Sequence, residues 1–296
     1  MHKGIGGFIM SIKAENIKYV YSEGTPFLTV ALDDVNLTIE EGDFVGIIGH
    51  TGSGKSTLIQ LFNGLEMPTG GKIAVDDTIV GEDKKKLKQI RQTVGLVFQY
   101  PEYQLFEETV AKDVAFGPMN LNLSQEEVDS RVKEALELVG FNYDKIKDLS
   151  PFDLSGGQKR RVAIAGVLAM KPSYLILDEP TAGLDPAGRN EILSQIKKLH
   201  AKGAVTVILV SHSMEDVAKL VKNVIVLYKG KIHMKGTPKE IYSNADELKK
   251  IGLGVPQIAE IVSELRKNGF NIKKDIITVE EAKEEILKEI RSRKNV

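Results

Sequence analysis

Phe44-Val45-Gly46-Ile47-Ile48-Gly49-His50-Thr51-Gly52-Ser53-Gly54-Lys55-Ser56 is the stretch that decides the fold. Its opening is an apolar run of strand length, and the part from Gly49 matches G-x-x-x-x-G-K-[ST] in full. The amphipathic run Thr57–Phe62 follows, so the pattern predicts strand, loop and helix in that order. Gly49, Gly52 and Gly54 let backbone N–H groups converge on phosphate oxygens, aided by the helix N-terminus. His50, Thr51, Ser53 and Thr57 complete the candidate nucleotide-binding loop. Lys55 offers a point charge to the β- and γ-phosphates, and the Ser56 hydroxyl is a candidate ligand for Mg²⁺. A glycine-rich turn with a chance Lys-Ser is the bland alternative, and the flanking strand and helix argue against it.

Working outward, Val94–Phe98, Tyr174–Leu177, Val205–Val210 and Val224–Tyr228 are further apolar runs of strand length. Strands that apolar are buried on both faces, as in a parallel sheet flanked by helices. Ile12–Val20, Val35–Ile39 and Lys72–Val75 predict a smaller antiparallel sheet. Ser124–Gly140 predicts one helix, with a Ser124/Glu127 capping box and Val128, Val132, Ala135, Leu136 and Val139 on one face. From about Ala245 the charged residues thicken beyond the 27% of the whole chain. Ile258, Ile261, Val262 and Leu265, then Ala282, Ile286 and Ile290, still recur at helical spacing, with Thr278 and Glu281 at the second start. The expectation is an α/β fold with a mostly parallel core sheet flanked by helices, an antiparallel β subdomain and a small C-terminal helical module. Its main domain spans 11–244, with a helical subdomain at about 100–170, and the module spans 245–296. Residues 1–10 read either as a natural extension or as an added segment before a start at Met10.

Composition narrows the function classes. With 40 Lys+Arg against 41 Asp+Glu, no global basic field draws the chain to nucleic acid or acidic lipid. The absence of cysteine excludes disulfides, thiolate zinc sites and cysteine nucleophiles, and fits a reducing cytoplasm. The longest apolar stretch, Val162–Met170, falls well short of the about 20 residues that a membrane span needs.

Two further segments carry chemistry. Tyr174-Leu175-Ile176-Leu177-Asp178-Glu179-Pro180 is an apolar strand ending in two carboxylates, at the sheet edge where α/β folds bind ligands. Asp178 suits the Mg²⁺ shell and Glu179 suits polarising a water, although paired acids after a strand also serve as helix N-caps. Leu154-Ser155-Gly156-Gly157-Gln158 precedes the helical run Lys159–Met170. It reads as a second anion site, with a simple loop and N-cap as the alternative.

That pentapeptide matches, letter for letter, the signature motif of the ABC-type ATPases, and with the phosphate loop upstream the chain resembles that family over about residues 11–240. The resemblance implies a P-loop NTPase fold with a helical signature subdomain, and ATP with Mg²⁺ as its ligands. It implies that Gln99 is the glutamine that senses Mg²⁺ and water, and that Ser56, Gln99 and Asp178 hold the metal. Gly183-Leu184-Asp185-Pro186 resembles the family's D-loop, and His212 sits where the family keeps a switch histidine, although a lone His after a strand is also a common polar cap. Glu179, His212 and Gln99 are thereby the catalytic candidates. Tyr21 resembles the aromatic that stacks on adenine, with Tyr19 its competitor and plain packing the alternative for both.

The stretch from Gln99-Tyr100-Pro101-Glu102-Tyr103-Gln104-Leu105-Phe106 to Asp113-Val114-Ala115-Phe116-Gly117-Pro118 is similar to the ATPase subunits of energy-coupling factor transporters. Ser150-Pro151-Phe152, the run Arg160–Met170 and Gly49-His50-Thr51 point the same way, the last toward the second of two paralogous ATPases in such systems. These transporters import vitamins or transition-metal ions. The resemblance implies a head-to-tail dimer with two sandwiched ATP and a signature acting in trans, formed with a second ATPase subunit (a heterodimer favoured over a homodimer). It also implies a transmembrane coupling subunit and a substrate-binding membrane subunit as partners, no nucleic acid, a dimerising C-terminal module, and a peripheral place on the cytoplasmic face of the cell membrane. Tyr100–Pro118, with aromatic and apolar residues on a connecting segment, is the candidate docking surface. The rival reading is a soluble ABC ATPase of DNA repair or translation. Those usually carry paired cassettes, zinc-binding cysteines or long coiled coils, and none is in this sequence.

Overall fold

Burial pattern separates the strands into two kinds. The structure, a computed structural model, describes residues 10–203 and 205–294, without the side chains of Lys84 and Lys294. The extension or added segment expected at 1–10 lies, Met10 apart, outside the described residues. The strands are β1 (Ser11–Tyr21), β2 (Thr29–Glu40), β3 (Phe44–Ile48), β4 (Gly70–Val75), β5 (Thr78–Ile79), β6 (Val94–Val97), β7 (Tyr174–Asp178), β8 (Thr206–Val210), β9 (Asn223–Tyr228) and β10 (Lys231–Gly236). β3, β6 and β8 are buried along their whole length, and β7 and β9 nearly so. With β10 they form one sheet in the order β10-β9-β3-β8-β7-β6, parallel except at β10. β1, β2, β4 and β5 form the smaller antiparallel sheet, order β2-β1-β4-β5.

The helices are α1 (Lys55–Phe62), α2 (Lys84–Thr93), α3 (Val110–Met119), α4 (Gln125–Leu138), α5 (Tyr143–Ile146), α6 (Gly156–Leu168), α7 (Pro186–Ala201), α8 (Met214–Leu220), α9 (Pro238–Tyr242), α10 (Ala245–Lys250), α11 (Gln257–Lys267) and α12 (Val279–Lys294). Short 3₁₀ turns sit at Pro101–Gln104 and Pro151–Asp153.

Side chains alternate across a strand, so the parallel sheet feeds two cores. Val45, Ile47, Tyr174, Ile176, Ile208 and Val210 meet α1 and the small sheet on one side. Phe44, Ile48, Leu175, Leu177, Val207 and Leu209 meet α3, α4, α6 and α7 on the other. Each fully buried Val, Leu or Ile contributes about 1.5–3 kcal/mol relative to exposure, so the sheet centre is the rigid base of everything attached to it.

Three local expectations are corrected. The Ser124 hydroxyl accepts the Glu127 N–H, but the Glu127 carboxylate does not return to Ser124; it pairs with Arg131 at 2.7 Å, one turn along, where the opposite charge is nearer at hand. α4 ends as expected at Gly140, whose φ of +86° suits a left-handed cap. In the C-terminal segment Ile261 and Ile290 are exposed. The other expected residues, Ile258, Val262, Leu265, Ala282 and Ile286, do pack into a small core, which Ile272 and Ile276 of the linker between α11 and α12 complete. Leu248, Ile251, Leu253 and Val255, just past residue 245, belong to the large core of the preceding domain. Finally β10, whose residues alternate exposed and half-buried, is an edge strand that the continuous-apolar criterion passes over.

Candidate nucleotide site

β3, β8, β7 and β6 are neighbours, and their carboxyl ends deliver the candidate residues to one edge. Gly49 follows β3, His212 follows β8, Glu179 follows β7, and Gln99 follows β6. A cleft of about 340 Å³ opens there, lined by Thr51, Gly52, Gly54, Lys55, Ser56, Thr57, Gln99, Asp178, Glu179 and His212. Open sheets of this type hold ligands at this edge.

The loop is shaped by close approach. A Cβ on Gly49 would stand 2.4 Å from Ser53 Oγ and from the Leu227 carbonyl oxygen. Gly54 has φ +102°, and a Cβ there would stand 2.5 Å from the Ala31 carbonyl oxygen. Both positions therefore exclude any side chain. Lys55 is buried, and its ammonium donates to the carbonyls of Gly49 at 2.6 Å and His50 at 3.0 Å. Desolvation lowers its pKa, while the negative charges of Glu179 and Asp178 work against that shift. Ser53 is wholly buried and lies outside the cleft lining, as do Gly49 and His50.

The two acids differ in setting. Burial raises the pKa of Asp178, against the pull of Lys55. Glu179 is pushed up to about 7, first by burial and then by the charge of Asp178. Its Oε1 is buried, accepts no hydrogen bond, and lies 3.5 Å from His212 Nε2. Burial and the nearby Lys55 lower the His212 pKa, so that contact joins a neutral imidazole to a carboxyl and is not a strong ion pair. Glu179 has φ +49°, a left-handed conformation costly for a non-glycine residue, and its N–H is held by the Val210 carbonyl at 3.0 Å. A largely desolvated carboxyl with one oxygen unpartnered, beside a phosphate loop, is equipped to take a proton from water.

Tyr21 and Tyr19 differ in burial. Tyr19 is buried and its hydroxyl donates to the Glu66 carboxylate. Tyr21 is 39% exposed, packs edge-on against the Tyr19 ring at 4.7 Å between centroids, and has its hydroxyl 3.0 Å from Thr57 Oγ1 at the start of α1, so of the pair it is the more accessible ring beside the loop.

Leu154-Ser155-Gly156-Gly157-Gln158 lies elsewhere. Leu154 is buried, Ser155 and Gly156 are exposed, and none of the five lines the cleft. The Ser155 hydroxyl accepts the Gln158 backbone N–H at 3.3 Å, and the Gln158 side-chain Oε1 accepts the Ser155 N–H at 2.9 Å, a reciprocal cap on α6. In Gly183-Leu184-Asp185-Pro186, Asp185 caps α7 by accepting the Gly188 N–H at 2.8 Å.

Sequence reasoning gave Arg160 no role of its own and passed over Asp216, both almost wholly buried. Asp216 accepts from Arg189 at 2.8 Å and from the Thr181 hydroxyl at 3.4 Å, joining α7 and the loop after Glu179 to the start of α8. Their partners are distant in sequence, and no local pattern marks them.

A sequence profile described as ABC transporter matches residues 32–182, and the chain belongs to that family. An energy-coupling factor transporter ATP-binding protein, EcfA2, of Caldanaerobacter subterraneus subsp. tengcongensis is 60% identical over 287 residues, covering 97% of this chain and 100% of its own. Its namesake from Clostridium tetani is 58% identical over 94% of this chain and 97% of its own. Among solved structures, cbiO1 from Clostridium perfringens, part of the ABC transporter complex cbiONQ, superposes with TM-score 0.74 at 39% identity, over 86% of this chain and 99% of that one. A post-hydrolysis dimer of the ATP-binding cassette MJ0796 bound to ADP and phosphate gives 0.67 at 32% identity, over 77% and 98%. Within the ABC family, the chain is thus one of the energy-coupling factor transporter ATP-binding subunits, an ATPase.

Proposed function

We propose that the chain powers import of a vitamin or a transition-metal ion by ATP-driven closure of a head-to-tail dimer, with Glu179 as the base for the attacking water. The buried, unpartnered Glu179 oxygen at the phosphate-loop cleft carries the reading. Lys55 neutralises the β- and γ-phosphates, His212 contacts the γ-phosphate as a neutral donor, and Gln99 orients the water. Tyr21 stacks on the base, with Gly49–Thr57 around the phosphates. Mg²⁺ fits the donor set. Ser56, Gln99 and Asp178 are hard oxygen donors in one cleft, and a single carboxylate suffices where phosphates supply further ligands. When bound, it neutralises charge developing on the phosphates.

Leu154–Gln158, whose Ser155 and Gly156 are exposed and which lies outside this chain's own cleft, acts in trans on the nucleotide of a second ATPase subunit, with a heterodimer favoured. The signature start is thus available to that partner. Closure follows from contacts that only the γ-phosphate makes, and hydrolysis removes them. No helix among the described residues is long and apolar enough to cross a membrane. In keeping with its family, the chain works peripherally, at the cytoplasmic face, beneath a transmembrane coupling subunit and a substrate-binding membrane subunit. Tyr103 and Phe106, 83% and 56% exposed, support docking through Tyr100–Pro118, whereas Leu105 is buried and anchors that segment. The domain begun at residue 11, with α10 packed into its core, carries catalysis, and α11 and α12 serve dimerisation.

Glu179→Gln keeps the shape and removes the base. Turnover should fall about 10²–10⁴-fold while ATP binding persists. Glu179 acts only when ionised, so kcat/KM of the wild type should rise with pH through about 7, and this limb should vanish in the variant. Near-normal hydrolysis by Glu179→Gln would refute the assignment.

A further inference from the structure

Arg160 stands two residues past the signature pentapeptide, on α6, and is 1% exposed. Its Nε and Nη2 donate to the two carboxylate oxygens of Glu102, at 3.0 and 2.6 Å. Its Nη1 donates to the carbonyl oxygens of Pro180 at 3.0 Å and Ala182 at 2.7 Å. Glu102 belongs to the 3₁₀ turn of the docking segment, whereas Pro180 and Ala182 belong to the loop that leaves Glu179. One guanidinium therefore joins three parts of the molecule that are far apart in sequence.

The loop it holds needs holding. Glu179 sits at φ +49°, and such a backbone persists only where its surroundings over-determine it. Val210 fixes the chain before Pro180 through the Glu179 N–H, and Arg160 fixes it after. A planar fork with fixed donor directions meets a carboxylate and two carbonyls at once; an ammonium cannot. A plain stabilising pair would need no backbone acceptors on the catalytic loop.

We propose that Arg160 is a positioning residue through which the docking segment, via Glu102, sets the backbone that aims Glu179. It touches no substrate and acts through the carbonyls of Pro180 and Ala182. The inference rests on the reading of Glu179 as the base, and Glu179→Gln tests that reading separately.

The experiment compares Arg160→Lys and Glu102→Gln in the full chain, measuring kcat, ATP affinity by fluorescence titration, and thermal unfolding. Both variants should lose about tenfold in kcat with ATP affinity within twofold of wild type, because the phosphate loop is untouched and only the aim of Glu179 changes. Should Arg160→Lys fail to fold, Glu102→Gln, which keeps the volume and an acceptor oxygen, decides the matter alone. Wild-type kcat in the folded variants, with Glu179→Gln inactive, would overturn the proposal. So would equal losses of kcat and affinity, which mark general loosening. An active Glu179→Gln would instead overturn the underlying reading.

Discussion

The phosphate loop and the signature segment are both glycine-rich turns that open a helix, yet they reach opposite ends. Around Lys55 the loop closes on a cleft, because the ends of β7 and β8 bring Asp178, Glu179 and His212 opposite it. At Ser155 the helix start is capped by its own Gln158, and nothing stands within 4 Å of where a Cβ on Gly156 would be. Similar local physics thus makes a site in one place and a surface in the other. The helix N-terminus supplies N–H groups in both, but desolvation and opposing charge come only from neighbours across the sheet edge. On the proposed trans arrangement, the exposed helix start is one half of a site whose other half arrives on a second subunit.

The sharpest way to break the contrast is Lys55→Ala. It removes the one cation of the loop, so ATP affinity and turnover should both fall, with a loss of about 10²–10³-fold in kcat/KM by titration and phosphate release. Unchanged affinity would mean that the cleft is not the nucleotide site. Ser155→Arg places bulk and charge on the exposed segment. The chain alone should bind ATP within twofold of wild type, while turnover of the assembled ATPase drops about 10–10²-fold. If Ser155→Arg weakened ATP binding by the single chain as much as Lys55→Ala does, the two regions would not differ in kind. The smallest effect is expected at the docking segment. Tyr103→Glu should lower uptake per ATP hydrolysed by about three- to tenfold in proteoliposomes, roughly what a partly buried aromatic contact supplies at an interface. Wild-type coupling would place the docking surface elsewhere.

Local sequence determined those parts of the protein that local physics decides. The continuous apolar runs at Phe44–Ile48, Tyr174–Leu177 and Val205–Val210 could be buried only on both faces, so the parallel sheet was legible, and the strand–loop–helix around Lys55 with it. The phosphate loop after β3 and the acids Asp178 and Glu179 at the end of β7 were legible for the same reason, whereas Gln99 and His212 were reached only through the resemblance to the family. Tertiary structure alone decided the rest. β10 alternates like any exposed edge, and β5 is two residues long, too short for any pattern. Ile261 and Ile290 carry the helical period of buried residues yet face outward, because which stripe is covered depends on what packs against it. Glu127 left its capping role for Arg131. The left-handed backbone of Glu179, its partial neutralisation by burial, and the Arg160 fork that spans 58 residues to Glu102 all arise from groups brought together only by folding. Periodicity reports a residue's neighbours along the chain, whereas desolvation and charge pairing are set by neighbours across it.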